Sequence, residues 1–352
     1  MEVLKGFHAT FRGLFDSLEI RLKQDRKQAE DDLEAHFHAV ETVLFQTALP
    51  SISPRVKYSL QRFCDVSPLL AALKQPAGDS EGSRSKLDVW QDLKVLSFAR
   101  AAVAVSSLTV VSVQMRLMLT VLSRQLFLER AMEGVAGEAA RGPRLGIEAQ
   151  EFFLSLTERG FVTCGMGQMV EALKATAREA VGGLALAETL DASRARATFA
   201  ALGDGAARRV RRGDFFPQAS ESESERRCFW RDALLPPDDA VVAAFRERFG
   251  AGADDAELAL VVRMAREVRT AASSSAFADA LGDAAARAWA WFAADADAEL
   301  FRDAAENDFQ IAVAKLVPAM SNLAGRTLAD PRGACGAAAS CPKVRELSRE
   351  MW

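Results

Sequence analysis

The sequence predicts an all-α protein organised around one long central helix, and three observations lead to this fold class. Tyrosine occurs once in 352 residues and alanine is abundant, which favours helices because alanine is the best helix former and sheets recruit tyrosine. Apolar residues recur at spacings of three and four along much of the chain. Residues 87–132 contain neither proline nor glycine, so a continuous helix there would be on the order of 65 Å long.

Composition limits the class of protein. Hydrophobic residues make up 49% and charged residues 26% of the chain, as in ordinary globular proteins, and a chain of this length can bury a core without disulfides or metals. The net charge is −4, so no overall basic field indicates nucleic-acid binding. The arginines at 208–212 stand close to acidic residues at 221–225, which predicts a solvated loop.

Residue types that carry catalysis or bind metals are sparse. The five cysteines are widely spread without a metal-ligand spacing, and there are three histidines; this pattern predicts reduced thiols in a cytosolic setting. His36 and His38 are two residues apart and would point to different faces of a helix, so they make a poor metal pair. We therefore expect a protein that is not an enzyme, with no catalytic, cofactor-binding or metal-binding residues.

Prolines and polar stretches divide the rest of the chain. Residues 1–49 have a helical pattern, and Pro50 and Pro54 are expected to break it before a short helix over residues 55–64. Ser67 and Pro68 open another short helix. Further helices are expected at residues 147–156, 167–190, 238–249, 254–273, 277–305 and 305–323.

Four segments look irregular. Residues 75–85 and 134–146 are rich in turn-forming residues and predict loops. Residues 203–239 combine glycines, arginines, prolines and serine–glutamate pairs, which predicts a flexible surface loop. The tail at 331–352 is expected to fray. We take residues 1–352 as one helical domain.

Trp90 stands out near the start of the central helix. At about 100° per residue, Val89, Leu93 and Leu96 share one face, and Trp90 lies about a quarter turn away. Lys86 and Lys94 lie four residues before and after it and would flank it. A partly exposed tryptophan with a cationic rim suits an acidic amphipathic partner helix. A core tryptophan covered by lysine stems is the other reading, and the spacing alone favours that one.

The block of residues that contains Trp90 resembles a family signature. Residues 86–100 read KLDVWQDLKVLSFAR and are followed by AVAV at 102–105. This block resembles the peroxin-3 pattern K-L-[DE]-[IV]-W-[ED]-D-L-K-[IV]-[IL]-S-F-[TA]-R, which starts the long central helix in that family. Weaker similarity occurs at residues 69–74 and at 314–318, the latter resembling a late A-K-[IL]-[IV]-P element.

The resemblance implies a single large twisted bundle of long helices at the peroxisomal membrane, facing the cytosol. Its implied role is membrane-protein import, as the docking receptor for the amphipathic N-terminal helix of the chaperone peroxin-19. The family positions that contact this partner match Trp90, Lys86 and Leu73, and the spacing adds Lys94 to the expected surface. A generic helical scaffold without a peroxisomal role is the alternative.

Membrane attachment is the point at which the sequence departs from the family pattern. No signal peptide and no run of about 18 uncharged apolar residues is found, whereas family members begin with a membrane-spanning segment. Residues 101–113 form the longest apolar run, which is too short to span a bilayer and predicts a buried helix. The apolar positions of residues 4–18 could face a membrane surface, but packing within the bundle is the favoured expectation.

Overall fold

A computed structural model of the chain describes residues 26–74, 85–136, 144–215, 223–301 and 310–352. Within these ranges the chain forms fourteen α-helices and a single pair of three-residue strands, which confirms the all-α class. The first helices are α1 (Arg26–Val43), α2 (Leu49–Phe63), α3 (Ser67–Lys74), α4 (Lys86–Ala136), α5 (Ile147–Thr157), α6 (Met166–Val181) and α7 (Ala192–Arg212). The later ones are α8 (Glu223–Leu234), α9 (Asp238–Phe249), α10 (Asp255–Ala272), α11 (Ser275–Leu300), α12 (Val313–Ala329), α13 (Arg332–Ala339) and α14 (Pro342–Met351).

The long central helix is confirmed as α4. It begins at a capping box, in which the backbone N–H of Asp88 donates to the hydroxyl of Ser85 at 3.1 Å and this hydroxyl donates to the Asp88 carboxylate at 2.9 Å. Residues 101–123 of α4 are all buried, because α2, α6, α11, α12 and α13 pack around it. The core of the protein is therefore wrapped around this helix.

The apolar character of α4 matches its buried position. By length and composition it is the one helix of the described residues that could cross a membrane, over residues 86–131. Inside the protein, however, 89% of its most apolar window is buried, as the sequence predicts for residues 101–113.

A buried arginine ties the middle of α4 to elements that are distant in sequence. Arg116 is 1% exposed; it donates to the Glu41 carboxylate at 2.8 Å, the Ser348 hydroxyl at 3.1 Å and the Ala339 carbonyl at 3.4 Å. Charge-assisted hydrogen bonds of this kind are stronger than neutral ones. Arg116 thus links α1, α13 and α14 to the central helix.

The predicted break at Pro50 and Pro54 is wrong. A π-helical turn at Leu44–Ala48 leads directly into α2, which begins at Leu49 and continues to Phe63. Pro50 stands in the first turn of α2, where its missing N–H costs little. Pro54 lies inside the helix, and burial of α2 residues such as Val56 and Leu60 against the core holds it there.

The predicted flexible loop at 203–239 is wrong for the residues that the structure describes. Helix α7 runs through Gly203 and Gly205, and a Cβ on Gly203 would lie 3.1 Å from the Trp289 ring. These glycines allow close helix packing and do not break the helix. Gly213, with φ of 63°, ends α7 in the left-handed conformation, and α8 then buries Trp230 in the core.

The predicted fraying at 331–352 is also wrong. Residues 332–339 form α13 and residues 342–351 form α14. Cys335, Cys341, Val344 and Leu347 are buried, and both helices pack against α4 and α11. Apolar contact therefore orders this segment although its composition is rich in small residues.

Other boundaries agree in part. Helix α9 has the predicted bounds, whereas the helix predicted over 167–190 ends at Val181. Strand β1 (Thr189–Asp191) lies within the end of that predicted helix and pairs antiparallel with β2 (Gln310–Ala312). This pairing was not predicted. Residues 1–25, most of the predicted loops at 75–85 and 134–146, and residues 302–309 lie outside the described part of the chain.

Candidate partner-binding surface

The first turns of α4 leave Trp90 on the surface. Its side chain is 40% exposed, and Leu87, three residues earlier, is 62% exposed. Val89 and Leu93 on the neighbouring face are buried, as the helical periodicity predicts. Trp90 therefore belongs to an exposed apolar area at the start of α4 and is not a core residue.

Helix α3, which packs against α4, also carries exposed apolar side chains. Its apolar residues are Pro68, Leu69, Leu70, Ala71, Ala72 and Leu73, yet none of the residues of α3 is fully buried. Leu70 is 42% exposed, and Leu69 and Leu73 are half-buried. Because α3 packs against α4, its leucines and Trp90 lie on neighbouring helices; we call Leu70, Leu73, Lys86, Leu87 and Trp90 the Trp90 surface.

Positive charge borders the Trp90 surface. Lys86 and Lys74 are exposed, and they stand at the start of α4 and the end of α3. The carboxylate of Asp88, two residues after Lys86, accepts a hydrogen bond from Ser85 within the helix cap. An apolar area with a cationic edge is complementary to an amphipathic helix that carries acidic residues.

The expected position of Lys94 beside Trp90 on the surface is wrong. Lys94 is completely buried, and its ammonium donates to the carbonyl of Leu184 at 2.5 Å and that of Gly182 at 3.4 Å. Burial lowers the pKa of Lys94, and Glu188 opposes this shift. Gly182 is the C-cap of α6, so this cation stabilises the end of a helix whose dipole favours positive charge there.

Two residues of the Trp90 surface were missed by reasoning from the sequence. Leu70 and Leu87 are among the large hydrophobic side chains most exposed in the described residues. The position of Leu87, one turn before Trp90, was a usable signal because residues three apart are neighbours on a helix. Leu70 gave no comparable signal, since its exposure depends on how α3 sits against α4.

The other strongly perturbed groups are buried in the core. Burial raises the pKa of the Cys64 thiol to about 11 and that of Cys335 to about 12, which leaves both as unreactive thiols. Burial lowers the pKa of His36 to about 4. Each of these groups lies among packed side chains, so their shifts reflect desolvation.

Comparison with known proteins points to one family. The family model described as Peroxin-3 matches residues 14–154, a range that contains α3, the start of α4 and all residues of the Trp90 surface. The match therefore rests on the same part of the chain as the signature block at 86–100.

Individual relatives carry related names. Peroxisome biogenesis protein 3-1 of Arabidopsis thaliana is 28% identical over 198 residues, which cover 55% of this chain and 54% of that protein. Human peroxisomal biogenesis factor 3 is 26% identical and its mouse counterpart 27%, each over 51% of this chain and 46% of the relative. The chain thus aligns with about half the length of these curated relatives. The chain is therefore similar to peroxin-3 proteins, over residues 14–154 for the family model and over about half the length of these relatives.

Proposed function

We propose that this protein acts in peroxisome biogenesis as a docking receptor in membrane-protein import. In this proposal the Trp90 surface binds the amphipathic N-terminal helix of peroxin-19. Trp90 is the apolar anchor, Leu73 and Leu87 extend the contact, and Lys86 attracts acidic residues of the partner. Lys94 acts indirectly, because it fixes the position of the helix that carries Trp90.

One observation carries the proposal: Trp90 is exposed within a block that matches the family signature. A tryptophan costs free energy when it faces water, and exposed apolar patches on folded proteins mark binding sites more often than chance. Tryptophan is also one of the residues that most often dominates binding energy at interfaces. A core role for Trp90 would not leave its side chain exposed.

The similarity to peroxin-3 proteins also supports a proposal for the location. We propose that the protein works at the peroxisomal membrane with the helical bundle in the cytosol, where a soluble chaperone could reach the Trp90 surface. Burial of α4 within the bundle argues that this helix serves as the core and not as the membrane anchor.

A generic helical scaffold is the alternative function, and site-specific crosslinking separates the two. A photoreactive amino acid at position 87 should crosslink to a peroxin-19 N-terminal peptide at the peptide's apolar face. The same group at Leu128 is the matched control, since Leu128 is also exposed and lies about 62 Å further along the same helix. Equal crosslinking at both positions, or none at position 87, would contradict the proposal.

A further inference from the structure

A second groove lies apart from the Trp90 surface, between the first half of α2 and the junction of α12 with α13. Its volume is about 540 Å³, within the range of ligand-binding clefts. Its apolar lining includes Phe45, Leu49, Pro54, Leu328 and Pro331. The groove thus offers an open apolar trough on the surface of the bundle.

The rim of this groove is positively charged. Lys57 and Arg332 stand on opposite walls, one on α2 and the other on α13, and both are exposed. Within the described part of the chain neither forms an ion pair. The one acidic residue of the lining, Asp330, accepts a hydrogen bond from the backbone N–H of Arg332 at 3.3 Å. Two cations are therefore available to an anionic ligand.

The wall formed by α2 also provides a hydrogen-bond acceptor. Pro54 has no N–H, so the carbonyl of Pro50, four residues earlier, lacks the donor that a helix normally supplies. Both prolines line the groove. An unpaired backbone carbonyl is satisfied by water or by an N–H of a bound ligand.

We propose that this groove, which we call the α2–α13 groove, binds a short acidic protein segment with one or more apolar side chains. The apolar side chains would lie against the apolar lining, and acidic side chains would pair with Lys57 and Arg332. A backbone N–H of the segment would donate to the Pro50 carbonyl. A lipid could use the apolar lining and the cations, but its acyl chain has no donor for this carbonyl, so a protein segment fits the whole set of groups better.

The groove and the Trp90 surface share no residue, because the groove takes none from α3 or α4. The groove takes residues from the first nine positions of α2, whereas α3 and the Trp90 surface follow its C-terminal end. A ligand in the groove would leave the Trp90 surface free. The groove therefore supplies a binding site for a second partner, independent of the proposed function of Trp90.

Fluorescence anisotropy with the full chain tests this inference. The probe is a short fluorescein-labelled peptide of glutamate, leucine and alanine, and the protein carries Trp90→Ala so that the Trp90 surface does not contribute. Combined Lys57→Glu and Arg332→Glu should weaken binding at least about tenfold, because attraction becomes repulsion on both walls. Ala329→Trp should also abolish binding, since Ala329 is an exposed residue of the lining and the larger ring would fill the trough.

Two controls make the outcome decisive. Arg208→Glu reverses an exposed cation elsewhere and should leave the affinity unchanged, and a probe with lysine in place of glutamate should not bind. Circular dichroism confirms that each variant is folded. Equal affinity of the groove variants and the parent protein would overturn the proposal. Displacement of the peptide by vesicles of phosphatidylserine but not by unlabelled peptide would overturn it in favour of a lipid site.

Discussion

The ammonium nitrogen of Lys94 lies 2.5 Å from the carbonyl oxygen of Leu184, so this lysine fastens the start of α4 to the segment that follows α6. Trp90, one turn earlier, remains 40% exposed. Two residues of the same signature block therefore have different tasks. Lys94 holds the helix in position, whereas Trp90 is exposed and is the residue that we propose contacts a partner.

The task assigned to Lys94 predicts an effect on stability. Lys94→Ala should lower the free energy of unfolding by about 1–3 kcal/mol, because it removes the charged donor from the carbonyls of Gly182 and Leu184 at a part-buried site. Lys86→Ala removes an exposed lysine from the same helix and should change it by less than about 0.5 kcal/mol. Urea unfolding followed by circular dichroism measures both. Equal effects of the two substitutions would show that Lys94 has no special structural role.

Arg116 should be the most sensitive polar position of the core. Arg116→Ala takes the buried cation from Glu41, which keeps its bond to the exposed Arg345, and takes the donor from the Ala339 carbonyl, so we expect a loss of about 3 kcal/mol. Burial tends to raise the pKa of Glu41, but Arg116 and Arg345 lower it overall. Thermal unfolding provides the measurement, with Arg208→Ala, an exposed arginine, as the control that should change little.

A structural feature could be predicted from the sequence when residues close to it in the chain determine it. The central helix was predictable because residues 87–132 contain no helix breaker and Ser85 supplies a cap. The burial of Lys94 was not, since its partners lie 88 and 90 residues away in the chain. Gly203 and Pro54 were misread as breaks for the same reason: distant packing decides whether a helix tolerates them.

The exposure of Trp90 also could not be predicted from the residues near it in the chain. Periodicity placed it at the edge of the apolar face, which left a core role and a surface role both open. Its exposure depends on how other elements pack around the start of α4, and no pattern within residues 86–100 contains that information. The family signature favoured the surface role because it linked this position to a partner.

The buried histidine predicts a dependence of stability on pH. Burial lowers the pKa of His36 in the folded state to about 4, from 6.5 in the unfolded chain, so below pH 6.5 the unfolded chain binds a proton that the folded chain excludes. The free energy of unfolding should fall as pH decreases from about 6.5 to about 4, by up to about 3 kcal/mol from this residue.

Comparison with His36→Gln isolates that contribution. Glutamine does not titrate, and its amide can occupy the place of the ring nitrogen that lies 3.1 Å from the Ser123 hydroxyl. The variant should lose less stability than the parent protein between pH 7 and pH 4 in urea unfolding. Identical pH profiles would mean that His36 is protonated in the folded state as easily as in the unfolded chain.

Electrostatic attraction at the Trp90 surface should appear in the association rate. If Lys86 attracts an acidic partner helix, binding of the peroxin-19 peptide should slow as ionic strength rises to 0.15 M, where the Debye length is about 8 Å. Lys86→Ala should flatten this dependence, whereas Arg208→Ala should not. Stopped-flow fluorescence gives the rates, and a salt dependence that survives Lys86→Ala would assign the attraction to other charges.

The affinity of the peroxin-19 N-terminal peptide for Trp90→Ala tests the central claim most directly. Loss of a hot-spot tryptophan typically costs at least about 2 kcal/mol, so titration calorimetry should show binding weakened by at least about thirtyfold, with helicity by circular dichroism unchanged. Leu128→Ala, which truncates an exposed leucine of the same helix, should bind like the parent protein. Unchanged affinity of a folded Trp90→Ala protein would contradict the claim that the Trp90 surface is the docking site.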